Sequence, residues 1–231
     1  VGDYESETSL DHIHNHTSRI KDTNSTINLF HLLSMMLNIE GDYRIRISSI
    51  EPNLLNNEIL NLTHNNKKMC NHFHIPLQSG NDKILRLMQR RYKTEDYKTL
   101  IFNAVNKIEN VAIGVDVIVG FPGETEDDFL DTYNFLKDLP IAYLHVFTYS
   151  ERPNTKAIEM PGHVDITERR RRNNMLRVLS EKKRNEFYRK MIGKELTVLF
   201  ESENVNGFIK GFSSNYVRVK LPFDKKFVNK F

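Results

Sequence analysis

Four side chains of this 231-residue sequence stand where an α/β unit could do chemistry: Glu51, Gln78, Arg90 and Asp116. Gln78 ends Phe73-His74-Ile75-Pro76-Leu77, an apolar stretch that reads as a short buried strand bounded by Gly80. Its amide can both donate and accept. Asn81 or Asp82 can then cap a helix with Ile84, Leu87 and Met88 on one face, and Arg90 lies about two to three turns along it. Glu51 lands at the carboxyl end of another alternating stretch, Tyr43 to Ile50, which Pro52 stops. Asp116 sits inside the apolar run Val111 to Gly120, where an unpaired charge is costly. It is therefore either a paired structural ion or a ligand contact. Glu51 reads equally as an acid at the start of the next helix. Gln78 and Arg90 read equally as a loop amide and a solvated cation.

Positioning such residues requires repeated strand–helix units, whose ligands gather at the carboxyl ends of the strands. The hydrophobic spacing supplies them. A helix is expected over Ile27–Leu37, stopped near Gly41, then the Tyr43–Ile50 strand, a helix over Leu54–Leu62 and an Asn/Lys loop. After the Gln78 unit, Thr94 is expected to cap a helix to about Ile108. The core strand Val111–Gly120 follows, then a Gly120-Phe121-Pro122-Gly123 turn. Thr125 caps a helix with an acidic first turn, Glu126 to Leu139, and the strand Ile141–Phe147 ends in Thr148-Tyr149-Ser150. A long basic helix runs from Thr167-Glu168 to about Met191, with Leu176, Leu179, Lys183 and Phe187 on one face and Gly193 beyond its end. Three short alternating segments close the chain: Leu196–Phe200, Gly207–Phe212 and Tyr216–Leu221.

Composition narrows the classes. The hydrophobic content of 39% and mean hydropathy of -0.51 suit a water-soluble core-forming chain, and no apolar run approaches the ~20 residues that cross a bilayer. No signal peptide is visible, and the first residue is Val1, which reads as a piece of a longer chain or a processed product. Cys70 is the single cysteine, so no intrachain disulfide forms and no iron–sulfur cluster can be held. It reads as a small core residue, with a reducing compartment expected. His12, His14 and His16 alternate as metal ligands can, but no apolar frame supports them and a solvated loop is favoured. The net charge of +3 conceals an imbalance: residues 169–231 carry 17 Lys and Arg against 6 Asp and Glu, or +11, and the rest of the chain is -8. A basic end on an acidic body suits a polyanion such as nucleic acid, or else a solvated basic helix.

Four motifs, in this order and spacing, carry a resemblance: Arg46-Ile47-Ser48-Ser49-Ile50-Glu51-Pro52, His72-Phe73-His74-Ile75-Pro76-Leu77-Gln78-Ser79-Gly80, Asp116-Val117-Ile118-Val119-Gly120-Phe121-Pro122-Gly123-Glu124-Thr125 and Tyr149-Ser150-Glu151-Arg152-Pro153-Asn154-Thr155-Lys156-Ala157. From about Tyr43 onward the chain resembles the radical S-adenosylmethionine methylthiotransferases, and its Ser-Ser-Ile-Glu-Pro stretch looks most like the MtaB branch. The resemblance implies an α/β fold: an incomplete TIM-type barrel of parallel strands over residues 1–165, a connecting basic helix over 166–193, and a small, truncated β-barrel resembling a TRAM domain over 194–231. It implies an enzyme that adds a methylthio group to threonylcarbamoyl-adenosine beside the tRNA anticodon, through a 5′-deoxyadenosyl radical. S-adenosylmethionine would be held by Glu51, Gln78, Arg90 and Asp116 at its ribose or methionine parts, with Ser150 near its adenine. A carboxylate suits ribose hydroxyls, and a guanidinium suits a carboxylate.

The family's 4Fe–4S cluster is held by a Cys-x3-Cys-x2-Cys motif that this chain lacks, and Asn154 stands where the family usually carries Gly. The chain as it stands is therefore expected to be inactive by itself, with no catalytic or metal-ligating residue of its own. Its partner is expected to be the tRNA anticodon stem-loop, met by Arg169, Arg170, Arg171, Arg172, Lys182, Lys183, Arg184 and Lys210, in the cytoplasm and without a membrane. Two other readings stand beside this one. One is a non-catalytic RNA-binding protein on the same scaffold. The other is a sister methylthiotransferase acting on a different tRNA adenosine or on a ribosomal protein.

Overall fold

A computed structural model describes residues 27–231. His12, His14 and His16 lie outside the described residues. The order is α1 (Leu29–Leu37), β1 (Ile45–Ile47), α2 (Asn57–Asn65), β2 (Met69–His74), α3 (Asp82–Leu87), α4 (Thr94–Lys107), β3 (Ala112–Val119), α5 (Glu126–Asp138), β4 (Tyr143–Thr148), α6 (Ile166–Met191), β5 (Val198–Val205), β6 (Phe208–Ser213) and β7 (Arg218–Pro222). The first four strands form one sheet in the order β1-β2-β3-β4, and every neighbouring pair is parallel. Helices connect the strands, as parallel pairing requires. This is the partial α/β barrel expected from the resemblance.

Strand alternation sorts the two faces of the sheet. Ile45, Ile47, Phe73, Ile113, Val115, Val117 and Leu144 join the helices' Leu60, Tyr97, Ile101, Phe129 and Leu176 in the core. The other face carries Arg46, His72, His74, Asp116, Tyr143 and His145, with Gly114 and Tyr143 in register on neighbouring strands. A Cβ at Gly114 would overlap the Tyr143 ring, so glycine is what lets that ring lie across β3.

Local chemistry fixes most helix starts. Asn81, not Asp82, caps α3, accepting from the Lys83 and Ile84 amides. Thr125 caps α5 in a reciprocal box with Asp128, and Asp165 caps α6 through the Thr167 N–H at 2.7 Å. Helix α4 begins at Thr94 itself, whose N–H donates to the Asp82 carboxylate at 2.8 Å. Several boundaries depart from the sequence reading: α2 runs over Asn57–Asn65 rather than Leu54–Leu62, and Lys93, not Thr94, holds the cap position of α4. Strand β2 starts at Met69, inside the stretch read as a loop, so Cys70 is a buried strand residue. Helix α3 stops at Leu87, and Gln89 is left-handed at φ 58°. Arg90 therefore follows a reversal of the chain rather than riding the helix, with its N–H returning to the Leu85 carbonyl at 2.9 Å.

Strands β5-β6-β7 form a separate antiparallel sheet, open rather than closed into a barrel. It meets the larger unit through side chains. The Arg44 guanidinium donates to the Thr197 carbonyl at 2.8 Å and the Asn215 amide to the Asn110 carbonyl at 2.9 Å. The Arg46 guanidinium lies 4.6 Å over the Tyr216 ring. Helix α6 joins the two sheets, about 39 Å long at 1.5 Å per residue. Among the described residues no helix is long and apolar enough to cross a membrane.

Candidate functional site

Beyond His74 the chain keeps pairing with β3 although the regular strand has ended. The Leu77 and Gln78 amides both donate to the Asp116 carbonyl, at 3.1 and 2.9 Å, and the Gln78 carbonyl accepts from Ile118 at 2.9 Å. Gln78 achieves this in the left-handed region, φ 70°, which a non-glycine residue adopts at a cost of about 1–3 kcal/mol. The reversal after α3 brings Arg90 alongside Glu51, with Nη1 to Oε1 at 3.4 Å. Tyr92 locks that loop by donating its hydroxyl to the Leu77 carbonyl at 3.0 Å.

Arg90 and Ser150 line a cavity of about 1090 Å³ at the carboxyl ends of β3 and β4, with Ile118, Phe121, Phe147 and Tyr149. Two polar atoms there, Arg90 Nε and Tyr149 Oη, are buried with no partner in the protein. Buried polar atoms are ordinarily satisfied, so these two mark places where a ligand's polar groups fit. The wall is fixed from behind by α6. Arg169, 5% exposed, donates to the Tyr149 and Val164 carbonyls at 3.0 and 2.8 Å and pairs with Glu151 at 2.6 Å. Gly120, at φ 76°, lies against the Arg169 side-chain stem with no room for a Cβ. Arg172, 4% exposed, pairs with the equally buried Glu124 at 2.6 Å, and Glu124 also accepts the Gly120 N–H at 2.9 Å. Burial pushes the Glu124 carboxyl above its ordinary value, against the pull of that N–H and of Arg172.

Asp116 does not join this cavity. It faces a second one, of about 630 Å³, on the inner face of the sheet. There Asp116 Oδ1 lies 2.7 Å from His74 Nε2 and 3.4 Å from His145 Nδ1. One step deeper, His72 Nε2 meets the Tyr143 hydroxyl at 2.9 Å. Burial, with Arg46 and the other imidazoles nearby, holds His72 down at about 3, and burial pushes Tyr143 up to about 12. The single donor atoms of His74, Asp116 and His145 lie within 4.8 Å of one another, a spacing that can accept a metal ion. Phe147 lines both cavities, so the two adjoin.

The sequence-read site residues are thus divided. Arg90 and Ser150 belong to the strand-end cavity, Glu51 reaches it only through its pairing with Arg90, Gln78 lies in the strand extension beside it, and Asp116 belongs to the inner-face cavity. The basic run needs correction. Arg169 and Arg172 are buried in ion pairs, and Arg171 is held by Glu126 and Glu168, each at 2.6 Å. Lys183 is buried with its ammonium on the Lys137 and Leu139 carbonyls, at the end of α5. Arg169, Arg172 and Lys183 hold α6 to the barrel and are not presented to a phosphate, while Arg171 stays exposed within its ion pairs. Arg170, Lys182 and Arg184 are exposed on α6, and Lys210 is half-buried on β6. Sequence reasoning does not single out His74, His145, Tyr143, Tyr149 or Arg46. The available signal is their period of two, polar residues alternating with core positions.

A family model described as the Radical SAM superfamily matches residues 17–136. Among curated proteins, the threonylcarbamoyladenosine tRNA methylthiotransferase MtaB of Aquifex aeolicus is 42% identical over 84% of this chain and 46% of its own length. MtaB of Bacillus subtilis is 36% identical over 88% of this chain and 46% of its own length. A tRNA-2-methylthio-N(6)-dimethylallyladenosine synthase of Endomicrobium trichonymphae is 37% identical over 88% of this chain and 49% of its own length. The chain spans about half the length of the curated relatives it matches.

Proposed function

This chain belongs to the radical SAM superfamily, and on that premise we propose that it is the cofactor- and RNA-holding part of a tRNA methylthiotransferase. The product is a methylthio group on threonylcarbamoyl-adenosine next to the anticodon, made in the cytoplasm. The observation that carries this reading is the strand-end cavity with its two unpartnered buried polar atoms, Arg90 Nε and Tyr149 Oη. Bound there, S-adenosylmethionine would supply the hydrogen-abstracting 5′-deoxyadenosyl radical on one-electron reduction, and a second molecule of it would supply the methyl group. Arg90 would meet its carboxylate, Glu51 and Gln78 its ribose or methionine parts, and Ser150 and Tyr149 its adenine end. Asp116, set deeper, would act from below through the inner-face cavity.

The 4Fe–4S cluster does not fit this chain: Cys70 is a lone buried thiol, raised above its ordinary value by burial. The divisions proposed are a barrel part over residues 1–165, a connecting helix over 166–193 and a TRAM-like RNA-binding part over 194–231. Arg170, Lys182, Arg184 and Lys210 would face the anticodon stem-loop. The relative that acts on dimethylallyladenosine supports a second reading, a different N6-modified adenosine as substrate.

Titration calorimetry with S-adenosylmethionine tests the cofactor site. Arg90→Ala is expected to weaken binding by about ten-fold or more, the worth of a hydrogen bond to a charged group, and Tyr149→Phe by less. Unchanged affinity in both variants would overturn the assignment.

A further inference from the structure

The inner-face cavity is left without a ligand by the cofactor reading, and its charge is uneven. Among the described residues, the arginines paired with carboxylates are Arg90, Arg169, Arg171 and Arg172. Arg46, Arg184 and Arg218 are not among them, and all three line this cavity. They come from three different elements: β1, α6 and β7. Arg46 and Arg184 both act on the Tyr143 hydroxyl, which places two positive fields on one side chain. The one carboxylate among the described lining residues, Asp116, is already engaged by two imidazoles. Three guanidiniums around the His74–Asp116–His145 cluster oppose a divalent cation and favour an anion. The walls are aromatic as well: Tyr143, Phe147, Phe187, Phe212 and Tyr216. Arg46 lies over Tyr216 and Arg218 lies 5.4 Å over Phe212, while those two rings stack at 4.5 Å. Flat guanidiniums supported on rings keep their donors free for a planar anion.

We propose that this cavity receives the modified adenosine, and that Arg46, Arg184 and Arg218 form the subsite for the free carboxylate of its threonylcarbamoyl group. The inference rests on the proposed function and deepens it, because it says what separates the two substrates named for the relatives. A threonylcarbamoyl group ends in a carboxylate and a hydroxyl. A dimethylallyl group is an uncharged hydrocarbon that would meet these guanidiniums with nothing to offer them. The base itself would lie toward Phe147, the residue shared with the cofactor cavity, so that its ring reaches the strand ends.

The test uses three anticodon stem-loop RNAs, alike except at one adenosine. The first carries the threonylcarbamoyl group, the second its uncharged carboxamide and the third a dimethylallyl group. Binding to the full chain is measured at one fixed ionic strength. The acid is expected to bind about ten-fold or more tightly than the carboxamide. Arg46→Gln and Arg184→Gln should each bring that ratio toward one, and Arg46→Lys should keep part of it. Arg184 lies on the exposed side of a helix, so its variant reports even where the β1 variant perturbs packing; circular dichroism checks both. A ratio of one in the wild type, or a ratio that survives in both glutamine variants, overturns the subsite while leaving the tRNA reading in place. Failure of all three RNAs to bind overturns both together.

Discussion

Arg172→Ala should unfold this chain far more readily than Arg170→Ala, although the two arginines are two residues apart in one basic run. Arg172 pairs with Glu124 at 2.6 Å, with Glu168 at 2.8 Å and with Glu126 at 3.3 Å. Its side chain is 5% exposed and that of Glu124 only 2%. Truncation leaves the Glu124 carboxylate buried with the Gly120 N–H as its remaining partner. Breaking a buried pair from one side costs about 3–5 kcal/mol. With a urea dependence of roughly 2 kcal/mol per molar, the midpoint should fall by about 1.5–2.5 M at unchanged slope. Arg170 is exposed, and its loss should cost less than about 0.5 kcal/mol. The pH dependence carries a sign. Burial holds the Glu124 carboxyl above its ordinary value, so it takes a proton more readily folded than unfolded. Its favourable contribution is full in acid, below the unfolded value, and is lost as the pH rises through the folded value. Removing Arg172 removes an opposing cation and lifts that value further. The Arg172→Ala defect should therefore be greatest at neutral pH and shrink in acid. Urea titrations at both pH values, followed by circular dichroism, decide it. Equal midpoints for the two variants, or a defect that does not change with pH, would refute the buried-pair reasoning.

Further outcomes follow from the same geometry. Gly114→Ala should displace the Tyr143 ring and cost about 1–3 kcal/mol, the usual penalty for overpacking, read as a lowered thermal midpoint. His72, held at about 3, should stay neutral in mild acid, so its ring resonances should not titrate between about pH 7 and about pH 5. Its folded value lies below the unfolded one, so its contribution is present above the unfolded value and is lost as the pH falls toward 3. Removing Arg170 and Lys182 together should flatten the salt dependence of tRNA binding by about 0.7–0.9 in log–log slope for each phosphate that is no longer neutralised. An unchanged slope would mean that this face does not meet the RNA.

The legible part of the fold is its local chemistry. Thr125 announces a helix start because its hydroxyl and Asp128 satisfy each other's backbone within four residues. The run from Ala112 to Val119 announces a core strand by its β-branched residues. Lys183 reads as part of the apolar face of the long helix, and it is buried there. What the sequence hides depends on backbone reversals and register. Arg90 reaches Glu51 only because the chain turns at left-handed Gln89, a conformation that glycine usually signals. His74, Asp116 and His145 meet because Asp116 and His145 are register partners and β2 lies alongside, a pairing no single strand encodes. The arginine run looks like a phosphate surface because composition cannot tell a solvated guanidinium from one clamped on Glu124.

Lys183 has a consequence in reactivity. Its ammonium is buried on two backbone carbonyls at the end of α5, and burial lowers its proton affinity. Exposed lysines are open to an acylating reagent in the native chain. Lys183 can react only when α6 lifts from α5 and its nitrogen leaves those carbonyls. Its labelling rate is therefore a clock for the opening of that helix pair, running inside the native chain without any introduced probe.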